Sequence, residues 1–301
     1  MEKYDLAILG GGPAGLTAAI YAARYNMNFI VITENFGGAI TGALEVENWP
    51  GKISSGTEIT QKMKEQAESF GTNFLQSNIK EIKKENKDFI IEMANETIKA
   101  KSIIYALGTQ HRHMNIPMEK ELIGKGVSYC ATCDGMFFKN KTVAVIGGAN
   151  AAAEGALYLA DIAEKVYIIY RREKLRCEPG TLKQIETKDN IEVIYSSIPK
   201  KVLGENLVEG LEIIKNDENK NIKVNGIFVE IGAEPNTNLL KNLKINLENE
   251  YIVTNKETET NIEGFFAAGD VTNNSFKQMV VATGEGAIAV ASAFNYIRFK
   301  Y

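Results

Sequence analysis

The sequence predicts an α/β protein with two Rossmann-like, three-layer units, and two observations predict it. The first is a strand, a glycine turn and a helix at the N-terminus, "YDLAILGGGPAGLTAAIYAARYN", residues 4–26. The second is the return of the same plan in "KTVAVIGGANAAAEGALYLA", residues 141–160, with Gly147 in the place of Gly10. A short apolar run that ends in glycine reads as a buried strand, and the alanine-rich run behind each turn reads as a helix.

The 301 residues are 45% hydrophobic, enough for two domains of ordinary size. The net charge of −4 comes from interspersed acids and bases, so nucleic acid and anionic membranes are not expected partners; small molecules or proteins are. The N-terminus, "MEKYDLAILGGG", has the pattern of neither a signal peptide nor a membrane span, and a cytoplasmic protein is expected. Three cysteines, Cys130, Cys133 and Cys177, make no disulfide framework. In a reducing compartment a Cys-x-x-Cys pair is redox-active or metal-binding.

In the first turn Gly10, Gly12 and Gly15 stand at GxGxxG spacing. The first permits the turn, the second lets backbone approach a pyrophosphate, and the third lets helix pack on strand. The next strand leads to Glu34, 24 residues after Gly10, where a carboxylate accepts hydrogen bonds from a ribose diol. This reads as a site for FAD or NAD. In the second copy Arg171 lies 24 residues after Gly147, so the spacing repeats while the charge changes sign. Arg171, Arg172 and Arg176 offer guanidinium forks that suit a 2′-phosphate, which reads as NADP. Two departures weaken that second site: Ala149 replaces the middle glycine, and Ala151 lacks a hydroxyl for a phosphate oxygen.

Between the two turns lies "GVSYCATCDGMFF", residues 126–138. Cys130 and Cys133 admit three readings. A structural disulfide closing so short a loop would constrain the unfolded chain little. A zinc site would draw its other two ligands from His111 and His113. A redox dithiol on the first turn of a helix would have its thiolate favoured by unpaired backbone amides. Cys177 has no cysteine nearby in sequence and reads as an ordinary free thiol.

Together these residues resemble the low-molecular-weight thioredoxin reductases, and the resemblance runs nearly the whole chain. It is carried by the first glycine turn, "EVENWPG" at 45–51, "CATCDG", the second glycine turn, "YRREKLR" at 170–176, "IGAEPNT" at 231–237 and "GFFAAGDVTNNSFKQMVVATGEGAIA" at 264–289. The resemblance implies an FAD-binding domain in two parts, 1–110 and 239–301. A pyridine-nucleotide domain, 111–238, carries the Cys-x-x-Cys and is inserted between them.

The resemblance adds Pro13, Ala14, Asn35, Gly37, Gly38, Ala39, Asn48 and Gly108 to the FAD site, with Gly269 and Asp270 at the ribityl-phosphate region and Lys277, Gln278 and Met279 beside the flavin. It adds Gly148, Asn150, Ala151 and Glu154 to the NADP site. It implies that Cys133 faces the flavin, that Cys130 attacks the disulfide of a thioredoxin-like protein, and that Asp134 supplies a proton. A homodimer, and a domain rotation about hinges near Gln110 and Pro235, are implied as well. Ala39 stands where the family commonly has Gln, and Tyr170 where its arginine motif begins with His. A related branch takes electrons from reduced ferredoxin instead of NADPH, and this sequence keeps the arginines while eroding the turn. A non-catalytic flavin redox sensor is the remaining alternative.

Overall fold

Strand β1 (Glu2–Gly11) buries Leu6 to Leu9 without a break, because it lies between two parallel neighbours with helices on its faces. A computed structural model describes residues 2–42, 46, 48–129 and 131–301, the Cys133 side chain excepted. It divides into two compact units, one of residues 1–110 and 234–301, the other of residues 111–233.

In the first unit β1 leads through Gly10–Gly12 into α1 (Pro13–Arg24), with Gly12 extended at the N-cap and a proline in the first turn, where the missing N–H costs nothing. Next come β2 (Phe29–Phe36) and α2 (Gly56–Ser69). The α2 helix is capped by Ser55, whose hydroxyl accepts from the Glu58 amide at 3.1 Å. Four strands follow: β3 (Phe74–Gln76), β4 (Ile79–Glu85), β5 (Asp88–Met93) and β6 (Thr97–Tyr105). The strand order is β3-β2-β1-β6-β5-β4, parallel from β3 to β6 and antiparallel beyond.

After β7 (Thr109–His111) the second unit repeats the plan. It contains β8 (Val127–Ser128), the one-turn α3 (Ala131–Asp134), β9 (Thr142–Ile146), α4 (Asn150–Ala160), β10 (Lys165–Ile169), α5 (Pro179–Thr187) and β11 (Ile191–Ile194). An antiparallel trio, β12 (Ser197–Leu203), β13 (Gly210–Lys215) and β14 (Glu218–Ile222), precedes the last sheet strand, β15 (Gly226–Val229). The parallel sheet has the order β11-β10-β9-β15-β8. Its two faces bury separate clusters, one centred on Val143, Ala156 and Phe228, the other on Ala144, Leu211 and Ile227.

The chain returns through β16 (Ala233–Pro235), which pairs with β7. Then follow the small hairpin β17 (Leu247–Glu248) and β18 (Tyr251–Ile252), β19 (Phe265–Ala267) and α6 (Met279–Phe299). β19 pairs with the second half of β6, whose first half is taken by β5. By length and a mean hydropathy of 1.3, α6 is apolar enough to cross a membrane. Here Ala282, Gly286, Ala289, Val290, Ala293 and Tyr296 are buried, most of them in the same cluster as β1 and α1, as in the core helix of a globular unit.

Two predictions follow from this packing. A Cβ on Gly15 would lie 1.9 Å from the Gly10 carbonyl oxygen, so Gly15→Ala loses about 3 kcal/mol or more of stability in urea titration. Ser55→Ala, which removes only a cap, loses about 1 kcal/mol in the same measurement.

Candidate active site

A cleft of about 910 Å³ opens at the C-terminal ends of β1, β2 and β6, and residues of the first unit alone line it. This is where an open α/β sheet reverses its strand order and where such folds bind ligands. The first turn contributes Gly10, Gly12, Pro13 and Ala14, with the N-terminus of α1 directed at the cleft. The end of β2 contributes Glu34 and Asn35; the following turn, Gly38 and Ala39; the segment after β6, Gly108. From the far end of the chain come Gly269, Asp270, Lys277, Gln278 and Met279.

Three residues of the expected set lie outside this wall. Gly15 packs on the Gly10 carbonyl, and a Cβ on Gly37, whose φ is +89°, would meet Thr41 at 2.2 Å. Both are glycine for packing and backbone reasons. Asn48 donates from Nδ2 to Gln278 Oε1 at 2.9 Å and so steadies a wall residue.

The residues fit a dinucleotide. A Cβ built on Gly12 would find nothing nearer than Gly38 Cα at 3.8 Å, and one on Gly38 would reach Gly12 Cα at 3.3 Å, so side chains would fill the slot between these two loops. Bare backbone here, beside a helix N-terminus whose first amides have no helical acceptor, makes a cradle for phosphate. Burial pushes the Asp270 carboxyl above the usual carboxylate range, against the opposing pull of Lys277.

Two residues that sequence reasoning did not select organise the cleft. Glu285 in α6 accepts from the Gly269 amide at 2.7 Å and from Asn274 Nδ2 at 2.8 Å, tying the Gly269–Asn274 turn to the helix. Its signal was present: it is the sole acid in the apolar run from Met279 to Phe299. Asn236 lies in the wall, donates to the Leu107 carbonyl at 2.8 Å, and receives the Tyr105 hydroxyl on its own carbonyl at 2.6 Å. It belongs to "IGAEPNT", a motif to which no contact had been assigned.

The second turn is built differently. Gly147 has φ +144°, and a Cβ there would meet the Glu230 carbonyl oxygen at 2.2 Å, so it serves the strand-to-helix turn as Gly10 does. At Gly148, however, the Tyr170 ring stands 2.4 Å from where a Cβ would be. Tyr170 is buried, and its hydroxyl accepts from Arg176 Nε at 3.0 Å, which draws that guanidinium toward the ring. Arg171 and Arg172 are exposed, as are Ala149, Ala151 and Glu154. Asn150 opens α4, and its Oδ1 accepts from the Glu178 amide at 2.9 Å, bringing an acidic residue to the N-terminal end of that helix.

Cys130 and the Cys133 side chain lie outside the described residues. Their turn, α3, is seated on α4: a Cβ on Gly135 would meet the Tyr158 ring at 2.9 Å, and one on Gly155 would meet Ala131 Cβ at 3.2 Å. Asp134 is the last residue of this turn and half-buried. Immediately before it, Tyr129 donates to the buried Glu119 at 2.6 Å and receives His113 Nδ1 at 2.6 Å, while His111 stacks on its ring. Glu119 also accepts the amides of Met114 and Asn115, at 2.7 and 2.6 Å, so the two histidines sit in a knot that holds the segment leading to the Cys-x-x-Cys. Burial, with His113 nearby, pushes the His111 imidazole down. Cys177 is half-buried against the α4 cluster, and burial pushes its thiol up, as expected of an inert cysteine.

Comparison with known proteins agrees with this geometry. A family model described as pyridine nucleotide-disulphide oxidoreductase matches residues 4–286. The thioredoxin reductase of Bacillus subtilis (strain 168) is 38% identical over 300 residues, 98% of this chain and 95% of its own. That of Buchnera aphidicola subsp. Baizongia pistaciae is 40% identical over 316 residues, 100% of this chain and 97% of its own. The crystal structure of Lactococcus lactis thioredoxin reductase superposes with a TM-score of 0.90 at 35% identity, covering 98% of this chain and 99% of that one. With two Rossmann-like units and relatives aligned from end to end, this chain belongs to the pyridine nucleotide-disulphide oxidoreductases, as a member of the thioredoxin reductases.

Proposed function

We propose that this thioredoxin reductase holds FAD in the cleft of the first unit, takes electrons from NADPH at the second turn, and passes them through Cys130 and Cys133 to the disulfide of a thioredoxin-like protein. The observation that carries the reading is the bare-backbone slot between Gly12 and Gly38 at the mouth of α1, which matches a pyrophosphate and lies in one wall with Glu34 and Asp270. In that wall the α1 amides would hold phosphate, Glu34 would accept from a ribose diol, and Asp270, on the Glu285-braced turn, would serve the ribityl region. Bound there, the flavin supplies the exchange between a hydride and the two electrons of a dithiol.

The chain's own chemistry is thiol exchange. The Cys130 thiolate attacks one sulfur of the partner disulfide, forming a mixed disulfide and expelling the other sulfur as a thiolate, to which Asp134 delivers a proton. The Cys133 thiolate then attacks Cys130 sulfur, releases the second partner thiolate and closes the Cys130–Cys133 disulfide. The same reading carries a homodimer and, from the sparing use of cysteine, a cytoplasmic location.

A second reading of the donor is favoured by the second turn itself. The Tyr170 ring against Gly148, the methyl of Ala149 and the acids Glu154 and Glu178 near α4 all oppose close approach of an anionic dinucleotide. That supports a reduced protein donor such as ferredoxin, with the exposed arginines serving as surface charge.

Three experiments test these assignments. Cys130→Ser and Cys133→Ser each abolish turnover of a thioredoxin disulfide while NADPH still bleaches the flavin absorption; an unchanged rate in either removes the dithiol role. Anaerobic titration of the wild type distinguishes the donors, and under the NADPH reading Glu178→Gln lowers the Kd for NADPH about fivefold, the effect of about 1 kcal/mol from one nearby charge. Glu285→Gln, by weakening charge-assisted hydrogen bonds worth about 2 kcal/mol, lowers flavin retention on gel filtration at least tenfold.

A further inference from the structure

Glu230 follows directly after β15, at the point where the second sheet reverses its strand order between β9 and β15. Its amide donates to the Ile146 carbonyl at 2.8 Å, and its own carbonyl packs against Gly147. Its carboxyl turns the other way: the Ala131 backbone N–H donates to it, and its Oε1 lies 3.8 Å from where a Cβ on Gly155 would be. That amide is the first of α3, so the acid grips the backbone at the start of this turn. No step of the thiol exchange uses it, and its one mark in the sequence is that an acid interrupts the apolar run "GIFVEI".

We propose that Glu230 is a positioning residue of the Cys-x-x-Cys turn, holding the Ala131 amide through its carboxyl and coupling its own protonation to that of the dithiol. The inference rests on the dithiol reading given above. Its physical basis is the contact itself, a carboxyl that accepts the first amide of α3 and lies beside Gly155 of α4, and the surroundings of that carboxyl resist its ionisation. Burial pushes its carboxyl up to about 7, with the Glu154 carboxylate of α4 adding to the rise and the Ala131 amide opposing it. Glu154, an exposed residue whose carboxyl is partly desolvated, is itself raised, first by that desolvation and then by Glu178. From α3 the facing group is the neutral Ala131 amide, with Asp134 at the far end of the same turn, and β9 presents only Thr142 and apolar side chains.

The consequence has a definite sign. Reduction of the disulfide adds two electrons and two protons, one of each per sulfur. Below pH 7 a neutral Glu230 leaves the turn's thiols at their intrinsic acidity. As pH rises through 7 its charge appears beside the turn and disfavours the thiolate, raising the thiol pKa in the interval where the enzyme works.

The test is the pH profile of alkylation by iodoacetamide of the holoenzyme, reduced with dithiothreitol, followed by mass spectrometry of the peptide that contains Cys130 and Cys133. Glu230→Gln keeps an acceptor for the Ala131 amide but cannot ionise. The expected ratio of variant to wild-type rate is near one below pH 6 and rises about threefold or more at pH 8, for a coupling of about half a pKa unit or more. A ratio that is flat from pH 5.5 to 9 overturns the proposal, since a purely structural role shifts the rate uniformly. Glu154→Gln provides a check that leaves Glu230 in place: the break in the pH profile moves to lower pH, and an unmoved break counts against the coupling. If the oxidised enzyme alkylates at these cysteines as fast as the reduced enzyme, the dithiol reading itself has failed, an outcome distinct from a flat ratio.

Discussion

The centre of the first cleft depends on close approaches that only glycine allows. Gly15 lets α1 rest on the carbonyl of Gly10, and Gly286 lets α6 rest on the carbonyl of Ala14, where a Cβ would stand 2.2 Å away. The Gly269 turn comes down on the same Ala14. Two segments more than 250 residues further along the chain, the Gly269 turn and α6, therefore converge with the Gly10 turn on the first turn of α1. The amides of that turn are left without helical partners, facing a cleft. Dispersion and burial hold the contact, and its cost is the conformational freedom of glycine, which is why the positions at the centre of the site tolerate so little change.

The second unit shows what the same plan becomes when its details shift. Gly147 preserves the tight turn, yet Tyr170 lies against Gly148 and draws in Arg176, while Glu154, Glu178 and Glu230 gather near the head of α4. In the first cleft the acids stand where hydroxyl groups of a ligand are expected; in the second they cluster where phosphate is expected. The two turns share a backbone plan and differ in electrostatics. The sheet supplies the place of binding, and the side chains around it choose what binds.

The α3 turn depends on its supports more than on its own length. A single turn of helix has almost no stability alone. Here it is seated on α4 through Gly135 and Gly155, while Glu119 and Tyr129 secure the chain that leads into it and Glu230 holds its first amide. These supports come from segments spread across the second unit.

Much of this was legible in the chain alone. Apolar runs ending in glycine announced β1 and β9, the alanine-rich runs announced α1 and α4, and the two 24-residue spacings announced an acid and a base at matching places. Such features are local: turn geometry and helix periodicity act between residues close in sequence, so the sequence states them directly. Asn236 and the Tyr170 ring gave no such statement, and Glu285 and Glu230 showed only as acids set in apolar runs, without their partners. Each acquires its role from a partner 11 to 131 residues away, across a turn or sheet edge that exists only once the core has closed. The sequence by itself determined the two strand, glycine-turn and helix units and the place of the Cys-x-x-Cys between them. The tertiary structure decided which side chains brace them and which lean against them, because burial and hydrogen bonding between distant segments are properties of the packed molecule.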